Sequence, residues 1–444
     1  MSTLTGIRRF FVETWGCQMN ELDSQRLSGQ LMQQGVLPTL HVEEADLILL
    51  NSCSVRERAE QKVYSRLGEY RLLKRDREKP LFIGLCGCVA QQEGERALAR
   101  VPDLDFVLGP ARVGELREVL RQRLDGHRVV ATGFPVDRRY DLDAVSRDGL
   151  YKGMVTIIEG CNKNCTFCIV PSTRGPEACR TFDEILVEVR HLLDLGFVEI
   201  ELLGQTVNHW REPATGRDFA DLLAAVASLP GIRRLRFVTS YPRDFSPRMV
   251  EQIGLHETIC PYVHLPVQSG SDRLLRRMGR GYQIDTYLRL VESLRQARPG
   301  IAISTDLIAG FPGETEADHR DSIALLEQVR HSALFAFCYS PRPGTAAARL
   351  PDPAVPSDVA EARLQDLLRT QNGIQRELNE ELVGREFDVL VTGWGREAGA
   401  FTGRTTCHRI MHFRASDPRF RAGHLARVRV VRANPHSLVG EEVA

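Results

Sequence analysis

Three cysteines, Cys161, Cys165 and Cys168, stand in one short segment, EGCNKNCTFCIVPSTRG, with the spacing C-x3-C-x2-C. Thiolates at this spacing bind soft metal ions or iron–sulfur clusters. A structural zinc site takes four ligands, and Cys179 is the candidate for a fourth, since no histidine lies inside or near the segment. A 4Fe-4S cluster held by three cysteines leaves one iron without a protein ligand, where a substrate can bind. We therefore favour a cluster with one open iron, with zinc as the alternative.

A second set of thiols follows three predicted strands near the start of the chain. Cys17 follows RFFVET, Cys53 follows DLILL and Cys88 follows LFIGL, at separations of 36 and 35 residues. One βαβ unit has about this length, so parallel strands bring the three thiols to one edge of a sheet. We interpret them as a second cluster site with three protein ligands. The alternatives are ordinary buried cysteines, and a site in which Cys86 replaces Cys88.

The first 125 or so residues alternate between short apolar runs and polar helical segments. RFFVET, DLILL, LFIGL and DFVL predict strands, while SQRLSGQLMQQG and GELREVLRQRL predict helices. This alternation predicts a parallel sheet covered by helices, as a domain over residues 8–125. The segment Asp125–Leu150 has weak periodicity, and we predict a linker there.

Six further strands are predicted from Tyr151 onward: GMVTII, VEIELL, LRFVT, YVHLP, IAISTD and LFAFCYS. One helix between them has clear boundaries, because Thr181 and Glu184 form a capping box and Gly196 stands at the end. Six βα units are typical of an incomplete version of the eight-unit barrel, whose chemistry lies at the carboxyl ends of the strands. We predict this partial (βα)6 barrel over residues 147–378.

The last part of the chain predicts a small β-barrel. A proline-rich passage ends the alternation, and VAEARLQDLLRTQNGIQRELNEEL predicts a long amphipathic helix. Five β-like runs follow: FDVLVTG, GAFTGRT, RIMHF, HLARVRVV and SLVGEEV. The predicted fold class is therefore α/β, with an N-terminal parallel-sheet domain, a central partial barrel and a C-terminal small β-barrel over residues 379–444.

The composition is that of a globular protein of about three domains. The chain has 444 residues, 43% of them hydrophobic and 26% charged, with a formal net charge of zero. No run approaches the roughly 18 apolar residues of a membrane span, and MSTLTGIRRFFVETWG lacks the apolar core of a secretory signal, which predicts a cytoplasmic protein. Eleven cysteines without such a signal favour metal or redox use over disulfides. Four of them stand alone and are interpreted as structural: Cys179, Cys260, Cys338 and Cys407.

Residues 400–436 carry a local basic patch. They include four histidines, one Asp, no Glu and eight arginines: Arg404, Arg409, Arg414, Arg419, Arg421, Arg427, Arg429 and Arg432. A charge run is commonly a solvated face, but this excess on a small β domain suits contacts with phosphates. Phe401 and Phe413 could stack on bases, although core packing is the commoner role.

The C-x3-C-x2-C spacing after a first strand resembles the radical S-adenosylmethionine (SAM) superfamily. This resemblance implies that SAM chelates the open iron and that the reduced cluster cleaves it to a 5′-deoxyadenosyl radical. Two three-cysteine sites followed by a small β domain resemble, within that superfamily, the methylthiotransferases. Four segments parallel the MiaB branch: LLGQTVN, HLPVQSGSDRLLRRMGRGY, ISTDLIAGFPGET and YSPRPGT. Two others distinguish this branch from the RimO and MtaB branches: TWGCQMNELDS and IIEGCNKNCTFCIVPSTRG.

The resemblance implies a tRNA-modifying enzyme. MiaB-like enzymes place a methylthio group on C2 of the adenosine at position 37, beside the anticodon, which already carries an isopentenyl (dimethylallyl) group. By this resemblance Cys161, Cys165 and Cys168 hold the catalytic cluster, and the other cluster supplies or holds sulfur. The G-C-x-A setting of Cys88 resembles the family motif and favours it over Cys86. C2 of adenine carries an unactivated C–H bond, for which general bases are of no use.

The same resemblance implies the cofactors and partners. They are two 4Fe-4S clusters, SAM at two molecules per turnover, a tRNA substrate, a flavodoxin- or ferredoxin-like electron donor and iron–sulfur assembly proteins. The C-terminal unit resembles the TRAM domain, an RNA-binding module. We expect a monomer with no membrane partner.

Polar groups at later strand ends are our candidates for binding SAM: Gly204, Gln205, Ser240, Gln268 and Asp306. Each could equally cap a helix or satisfy a turn. Three residues depart from the usual family words, namely Asn164, Cys179 and Thr206, and none of them removes a ligand. Two alternatives stay open: a sister methylthiotransferase that acts on threonylcarbamoyl-adenosine or a ribosomal protein, and a non-enzymatic metal protein that binds RNA.

Overall fold

The computed structural model describes residues 4, 6–54, 57–135, 145–147, 151–395, 397, 399–415 and 420–443. For residues 57–60 it describes the backbone alone. The chain divides into two compact units. The first comprises Met1–Asp148, Glu159–Lys163 and Cys168–Ala178. The second comprises Gly149–Ile158, Asn164–Phe167 and Cys179–Ala444. Within the described residues, no helix has both the length and the hydropathy needed to cross a bilayer.

A six-stranded parallel sheet forms the first unit. Its spatial order is β2-β1-β3-β4-β5-β6, and its strands are β1 Arg9–Trp15, β2 Leu37–Pro38, β3 Leu47–Ser52, β4 Phe82–Gly87, β5 Phe106–Leu108 and β6 Val129–Ala131. The four predicted strands are confirmed. Strand β6 pairs with β5 inside the segment for which a linker was predicted, so that prediction was wrong for these residues. The three residues of β6 are too few to show a periodic pattern in the sequence, and their pairing with β5 makes them a strand.

Six helices belong to the first unit: α1 Gln18–Gln33, α2 Glu57–Arg75, α3 Cys88–Glu93, α4 Glu95–Arg100, α5 Leu116–Leu124 and α6 Val170–Arg174. Helices cover the sheet because its strands are apolar on both faces; every residue of β3 is buried. Leu47 and Leu49 pack into one apolar cluster, and Ile48 and Leu50 pack into another. The sheet therefore lies between two cores.

The second unit contains the six predicted βα strands, all confirmed. They are β7 Gly153–Thr156, β10 Glu199–Leu203, β11 Arg234–Phe237, β12 Tyr262–His264, β13 Ala302–Ala309 and β14 Ala333–Cys338. They form two three-stranded parallel sheets, with orders β11-β10-β7 and β12-β13-β14. A parallel bridge pairs Leu235 of β11 with Ile259, three residues before β12. Two short strands, β8 Ile158–Glu159 and β9 Ala178–Cys179, form a separate ribbon.

Helices connect these strands: α7 Phe182–Asp194, α8 Phe219–Ala227, α9 Pro247–Leu255, α10 Asp272–Arg277, α11 Ile284–Ala297 and α12 Glu316–Val329. The capping box at the start of α7 is confirmed. Thr181 accepts from the backbone N–H of Glu184, and the Glu184 carboxylate accepts from the backbone N–H of Thr181. This pairing satisfies donors that the first helical turn leaves free.

Helix α13 Ser357–Glu380 leads to a closed five-stranded barrel, as predicted. The strands are β15 Glu386–Trp394, β16 Ala400–Thr405, β17 Ile410–Arg414, β18 Leu425–Ala433 and β19 Leu438–Glu442. Phe401 and Phe413 are buried in the barrel core and are not available to stack on bases. Arg234 and Arg236 of β11 donate to backbone carbonyls of the barrel, Arg404 and Thr405.

Candidate metal centres and nucleic-acid interface

Three neighbouring strands of the first unit end at the same level. Trp15 of β1 is in register with Ser52 of β3, which is in register with Gly87 of β4. The predicted metal-binding cysteines follow directly: Cys17 precedes α1, Cys53 follows β3, and Cys88 begins α3. Parallel pairing thus brings the three thiols to the carboxyl edge of the sheet, where ligands bind in such folds.

Cys53 interacts with both Cys17 and Cys88. A side-chain hydrogen bond with Cys53 lowers the pKa of Cys17 to about 6 and the pKa of Cys88 to about 7, with help from the nearby Arg174 charge. Hydrogen bonds with Cys17 and Cys88 raise the pKa of Cys53. Metal ligation requires thiolates, so two of the three thiols are prepared for it.

The donor set has the chemistry of iron–sulfur ligation. It consists of three sulfur donors, and Cys53 interacts with each of the other two. Across the described residues, no three His, Cys, Asp or Glu side chains form a preformed site for a metal ion. Cys86 does not join the donor set, because it lies within β4, fully buried in the apolar core, and burial raises its pKa.

Buried amides hold the strand ends around these thiols. The Asn51 side chain donates to the Asn20 carbonyl (2.9 Å) and to the Ser24 hydroxyl (2.8 Å), and it accepts from the Asn20 amide (3.2 Å). The Cys17 thiol donates to Asn20 Oδ1 at 3.5 Å. The thiol site therefore rests on a network of satisfied polar groups.

A buried ion pair stands beside the same thiols. Arg174 of α6 is 4% exposed and lies 2.7 Å from the carboxylate of Asp23, which is 2% exposed. Asp23 lies 3.7 Å from Arg26, whose guanidinium is 3.5 Å from Glu159. Burial raises the pKa of Asp23, against the lowering effect of Arg174 and Arg26.

The C-x3-C-x2-C segment is shared between the two units. Cys161 and Cys168 belong to the first unit, and Cys165 belongs to the second. The backbone N–H of Cys161 donates to the carbonyl of Gly175 at 3.0 Å. The Cys165 sulfur accepts from the buried Arg280 at 3.4 Å. The ligand role of the three cysteines stays a prediction.

Three of the residues proposed for SAM lie at carboxyl strand ends of the second unit. Gly204 and Gln205 follow β10, and Ser240 follows β11. A Cβ on Gly204 would lie 2.4 Å from Ile158, so only glycine fits there. Gln268 has φ of +78° and pairs with β13, because its N–H donates to the Asp306 carbonyl at 2.8 Å.

Two hydroxyl groups at these strand ends have no protein partner. In the described part of the chain, neither Thr206 Oγ1 nor Ser240 Oγ, both buried, makes a hydrogen bond. Buried hydroxyls are normally satisfied, so an orphan pair indicates room for a polar ligand. Asp306 lies inside β13 rather than at its carboxyl end, because the strand continues to Ala309, beyond the predicted end; its carboxylate is 3.4 Å from the His264 ring. SAM binding by these residues stays a prediction.

The basic patch of the barrel is less positive than its sequence indicates. Arg414 pairs with Glu397 at 2.6 Å, and Arg429 pairs with Glu386 at 2.8 Å. Arg427 pairs with Glu386 and Asp388. These carboxylates lie before residue 400, and strand pairing brings those of β15 to β18. Arg419 lies outside the described residues.

Two family models match the chain. One, described as the uncharacterized protein family UPF0004, covers residues 9–109, the sheet that carries Cys17, Cys53 and Cys88. The other, the radical SAM superfamily, covers residues 155–326.

Curated relatives match from end to end. A tRNA-2-methylthio-N(6)-dimethylallyladenosine synthase of Solibacter usitatus (strain Ellin6076) is 43% identical, with 100% of both chains covered. Its counterpart in Anaeromyxobacter dehalogenans (strain 2CP-C) is 46% identical over 98% of this chain and 94% of the relative. The chain belongs to this synthase family.

Solved structures support the fold of this synthase family member. The radical SAM methyltransferase TsrM from Kitasatospora setae, with cobalamin and a [4Fe-4S] cluster bound, has a TM-score of 0.55 at 15% identity, covering 78% of this chain and 74% of TsrM. The cobalamin-dependent radical enzyme OxsB has a TM-score of 0.51 at 14% identity, covering 84% of this chain and 56% of OxsB. At these identities the likeness concerns the fold alone.

Sequence reasoning missed the charged residues around the cysteines of this synthase family member. Arg174 and Arg280 each lie beside a predicted ligand, yet no local pattern marks them, because arginine is the common basic residue throughout the chain. Asp23 and Arg26 stand on α1, far along the chain from Arg174. The available signal was the motif PSTRG itself, in which Arg174 follows Cys168 by six residues.

Proposed function

We propose that this chain is a radical SAM methylthiotransferase that converts N6-dimethylallyladenosine at position 37 of tRNA to its 2-methylthio derivative. The observation that carries the proposal is the meeting of Cys17, Cys53 and Cys88 at one sheet edge. This second three-thiol set accompanies the C-x3-C-x2-C segment, in a chain that matches the synthase family over its full length. One three-thiol site serves radical generation, and the other serves sulfur transfer.

Each three-cysteine site would hold one 4Fe-4S cluster and leave one iron open. Cys161, Cys165 and Cys168 would hold the cluster that supplies an electron to SAM, and two SAM molecules serve each turnover. Protein groups then have defined tasks. The orphan hydroxyls of Thr206 and Ser240 bind polar groups of SAM, with Gly204, Gln205, Gln268 and Asp306 around them.

The proposed tRNA partner contacts the basic barrel over residues 379–444. Arg421 and Arg432 of the patch have no carboxylate partner within the described residues, so they are the better candidates for phosphate contacts than the paired Arg427 and Arg429. The remaining proposals are a flavodoxin- or ferredoxin-like electron donor, iron–sulfur assembly proteins, a monomeric state and a cytoplasmic site of action.

Anaerobic reconstitution tests the cluster count. We expect about eight irons per chain, two clusters' worth, and about four in Cys53→Ala. The matched control is Cys86→Ala, since Cys86 is equally buried but lies outside the thiol site; it should keep about eight. A colourless protein that binds zinc would instead support a non-enzymatic metal protein.

Nucleoside mass analysis tests the substrate. With SAM and a reductant, the protein should add a methylthio group to tRNA that carries dimethylallyladenosine. It should leave unchanged both tRNA with threonylcarbamoyl-adenosine and ribosomal protein. Modification of either of the latter would assign the chain to a sister methylthiotransferase. Loss of the methylthio mark in cells without the protein provides the second readout.

A further inference from the structure

A permanent positive charge lies against the thiol site of the first unit. Arg174 is 4% exposed and belongs to α6, which packs against α3, the helix that begins at Cys88. Its positive charge favours the thiolate forms of Cys88 and Cys17. A guanidinium stays protonated at every pH that the protein meets. The thiols therefore face a cation that neither burial nor acidity can remove.

The charge of Arg174 is held in place by a chain of alternating charges. Asp23 lies 2.7 Å from Arg174 and 3.7 Å from Arg26, and Arg26 lies 3.5 Å from Glu159. Glu159 precedes Cys161 by two residues, and Arg174 follows Cys168 by six. Helix α1, which begins directly after Cys17, carries both Asp23 and Arg26. The two flanks of one cysteine segment are thus tied to the helix that starts at the other cysteine site.

The positive charge of Arg174 determines the direction in which it shifts the reduction potential of a cluster at this site. Net charge and hydrogen bonds to sulfur set the reduction potential of an iron–sulfur cluster. A nearby cation stabilises the reduced state, which carries one more negative charge. Inside a protein such an interaction is much stronger than in water.

We propose that Arg174 is a positioning residue that raises the reduction potential of the cluster bound at Cys17, Cys53 and Cys88, by holding one buried positive charge beside the sulfur ligands. This inference rests on the proposed function, which supplies the cluster. Asp23 offsets part of that charge and orients the guanidinium.

The potential is best measured with the other cluster removed. A triple variant, Cys161→Ala with Cys165→Ala and Cys168→Ala, should keep about four irons. In this background we expect Arg174→Met to lower the equilibrium constant for reduction of the cluster at least tenfold, which is a shift of about 59 mV to lower potential in an EPR-monitored titration. Arg174→Lys keeps the charge, so its potential should stay close to that of the protein with Arg174.

Two further variants distinguish an electrostatic role of Arg174 from a purely structural one. Arg26→Met removes a cation from the same chain of charges, but Arg26 is 13% exposed and pairs with carboxylates rather than thiols, so the potential should change little. Asp23→Asn removes a buried negative charge and should move the potential upward, opposite to Arg174→Met. A merely structural role would not reverse sign between these two substitutions.

Each outcome decides one hypothesis. If the triple-cysteine variant holds no iron, the proposed second cluster is wrong. If it holds about four irons and Arg174→Met leaves the potential unchanged, the role of Arg174 alone is wrong. Should Arg174→Met fail to assemble a cluster, Asp23→Asn decides, since an unchanged or lower potential in it would contradict the proposal.

A separate observation concerns a groove of about 620 Å³ in the second unit. It lies where β13 begins, between the βα core and the barrel, and is lined by Ala302 and Phe387 among others. We call it the arginine groove, after five of its residues: Arg295, Arg298, Arg330, Arg385 and Arg409.

The arginine groove has an excess of positive charge. Its two carboxylates are already engaged, Glu381 with Arg330 at 3.5 Å and Glu386 with Arg429 at 2.8 Å. In the described part of the chain, the other four arginines of the groove have no carboxylate partner; Arg298, for example, donates to the carbonyl of Glu257. Burial lowers the pKa of Arg295 and of Arg409.

We infer that the arginine groove binds phosphates of the RNA backbone. Several guanidinium groups spread along an open groove suit a chain of phosphates better than one small anion, which a single closed pocket would hold. The groove also adjoins the barrel through Phe387 and Arg409, so one RNA strand can contact both. This inference rests on the proposed tRNA substrate.

Salt dependence of tRNA binding tests the groove without catalysis. An unmodified tRNA transcript and the full chain without SAM are sufficient. Arg298→Ala with Arg385→Ala should weaken binding and lower the slope of log K against log salt by about two, one per lost phosphate contact. The matched control is Arg289→Ala, which lies on α11 like Arg295 but is exposed and paired with Asp285.

The outcomes distinguish a failure of the groove hypothesis from a failure of the proposed tRNA substrate. Absence of any tRNA binding by the wild-type chain would contradict the proposed substrate. Binding with the same slope in the double variant and in Arg289→Ala would contradict the groove alone. Loss of inorganic phosphate binding in the double variant, with tRNA binding unaffected, would identify a small-anion site and overturn the inference.

Discussion

At the scale of single residues, polar side chains that touch no substrate set the conditions for the thiol site. Asn51 is fully buried and uses both ends of its amide, toward Asn20 and Ser24. Leaving such partners without hydrogen bonds costs about 1–3 kcal/mol. The position of Cys17, whose thiol donates to Asn20, depends on this network.

Asn51→Ala is therefore expected to destabilise the apo-protein by about 1–3 kcal/mol and to reduce iron uptake at this site. Denaturant titration and iron analysis measure the two effects. Ser65→Ala is the control, because Ser65 is an exposed helix residue whose hydroxyl donates to the Gln61 carbonyl. Equal stability of the two variants would show that the amide network is dispensable.

His408 predicts a dependence of stability on pH. Its ring stacks on Tyr262 at 4.5 Å, and burial, with the nearby charges of Arg236, Arg404, Lys152 and Arg234, lowers its pKa to about 2. An unfolded histidine titrates near pH 6.5. Unfolding therefore takes up a proton below that pH, and stability is lost as pH falls from about 6.5 toward 2.

The expected loss from His408 is about 1.4 kcal/mol per pH unit below pH 6.5. His408→Asn should remove this contribution, and asparagine tolerates the positive φ of 67° at this position. The measurement is the denaturation midpoint of both proteins between pH 7 and pH 5. Parallel pH profiles would contradict a neutral buried ring.

At the scale of elements, short turns place the cysteines. Gly160 has φ of +77°, and a Cβ there would lie 2.1 Å from the carbonyl oxygen of Pro176. This glycine directly precedes Cys161, whose N–H is bonded to Gly175. The close approach of two backbone segments at this turn is possible only without a side chain.

Gly160→Ala and Gly196→Ala separate crowding from backbone conformation. Gly196 also has a positive φ, +91°, but a Cβ there would meet nothing within 4 Å. We expect Gly196→Ala to cost about 1 kcal/mol and Gly160→Ala to cost about 1–3 kcal/mol more. Denaturation midpoints test this order. Equal costs would show that the backbone at Pro176 moves to make room for the added Cβ.

At the scale of the whole molecule, a buried charge cluster joins the barrel to the βα core within the second unit. Glu199 is 3% exposed, accepts from Arg236 (3.0 Å) and forms an ion pair with Arg234 (2.8 Å). The same two arginines donate to the carbonyls of Arg404 and Thr405. Two buried cations are thus held between one carboxylate and the barrel backbone.

Glu199→Gln should leave these cations uncompensated and cost about 3–5 kcal/mol. It should also loosen the barrel, which tryptic cleavage at the exposed Arg385 would report as faster release of the C-terminal fragment. The control is Glu251→Gln at an exposed helix position. Unchanged stability and cleavage in Glu199→Gln would show that the barrel is held by other contacts.

The sequence by itself determined the family, indicated the six cysteines of the two proposed sites and predicted the strands of the described residues except β2, β6, β8 and β9. Apolar periodicity is a local property, and the 3 to 9 residues of each predicted strand suffice to express it. Alternation of strands and helices then implies parallel pairing, which brings Cys17, Cys53 and Cys88 to one edge.

Only the tertiary structure decided which charges remain available and where they lie. Arg174 reaches the thiols from a distant segment, and Glu386 neutralises Arg427 and Arg429 from a neighbouring strand. The edge strand Val129–Ala131 likewise exists because β5 is beside it. Electrostatic pairing and sheet pairing depend on distances across the fold, and these distances have no signature in a local stretch of sequence.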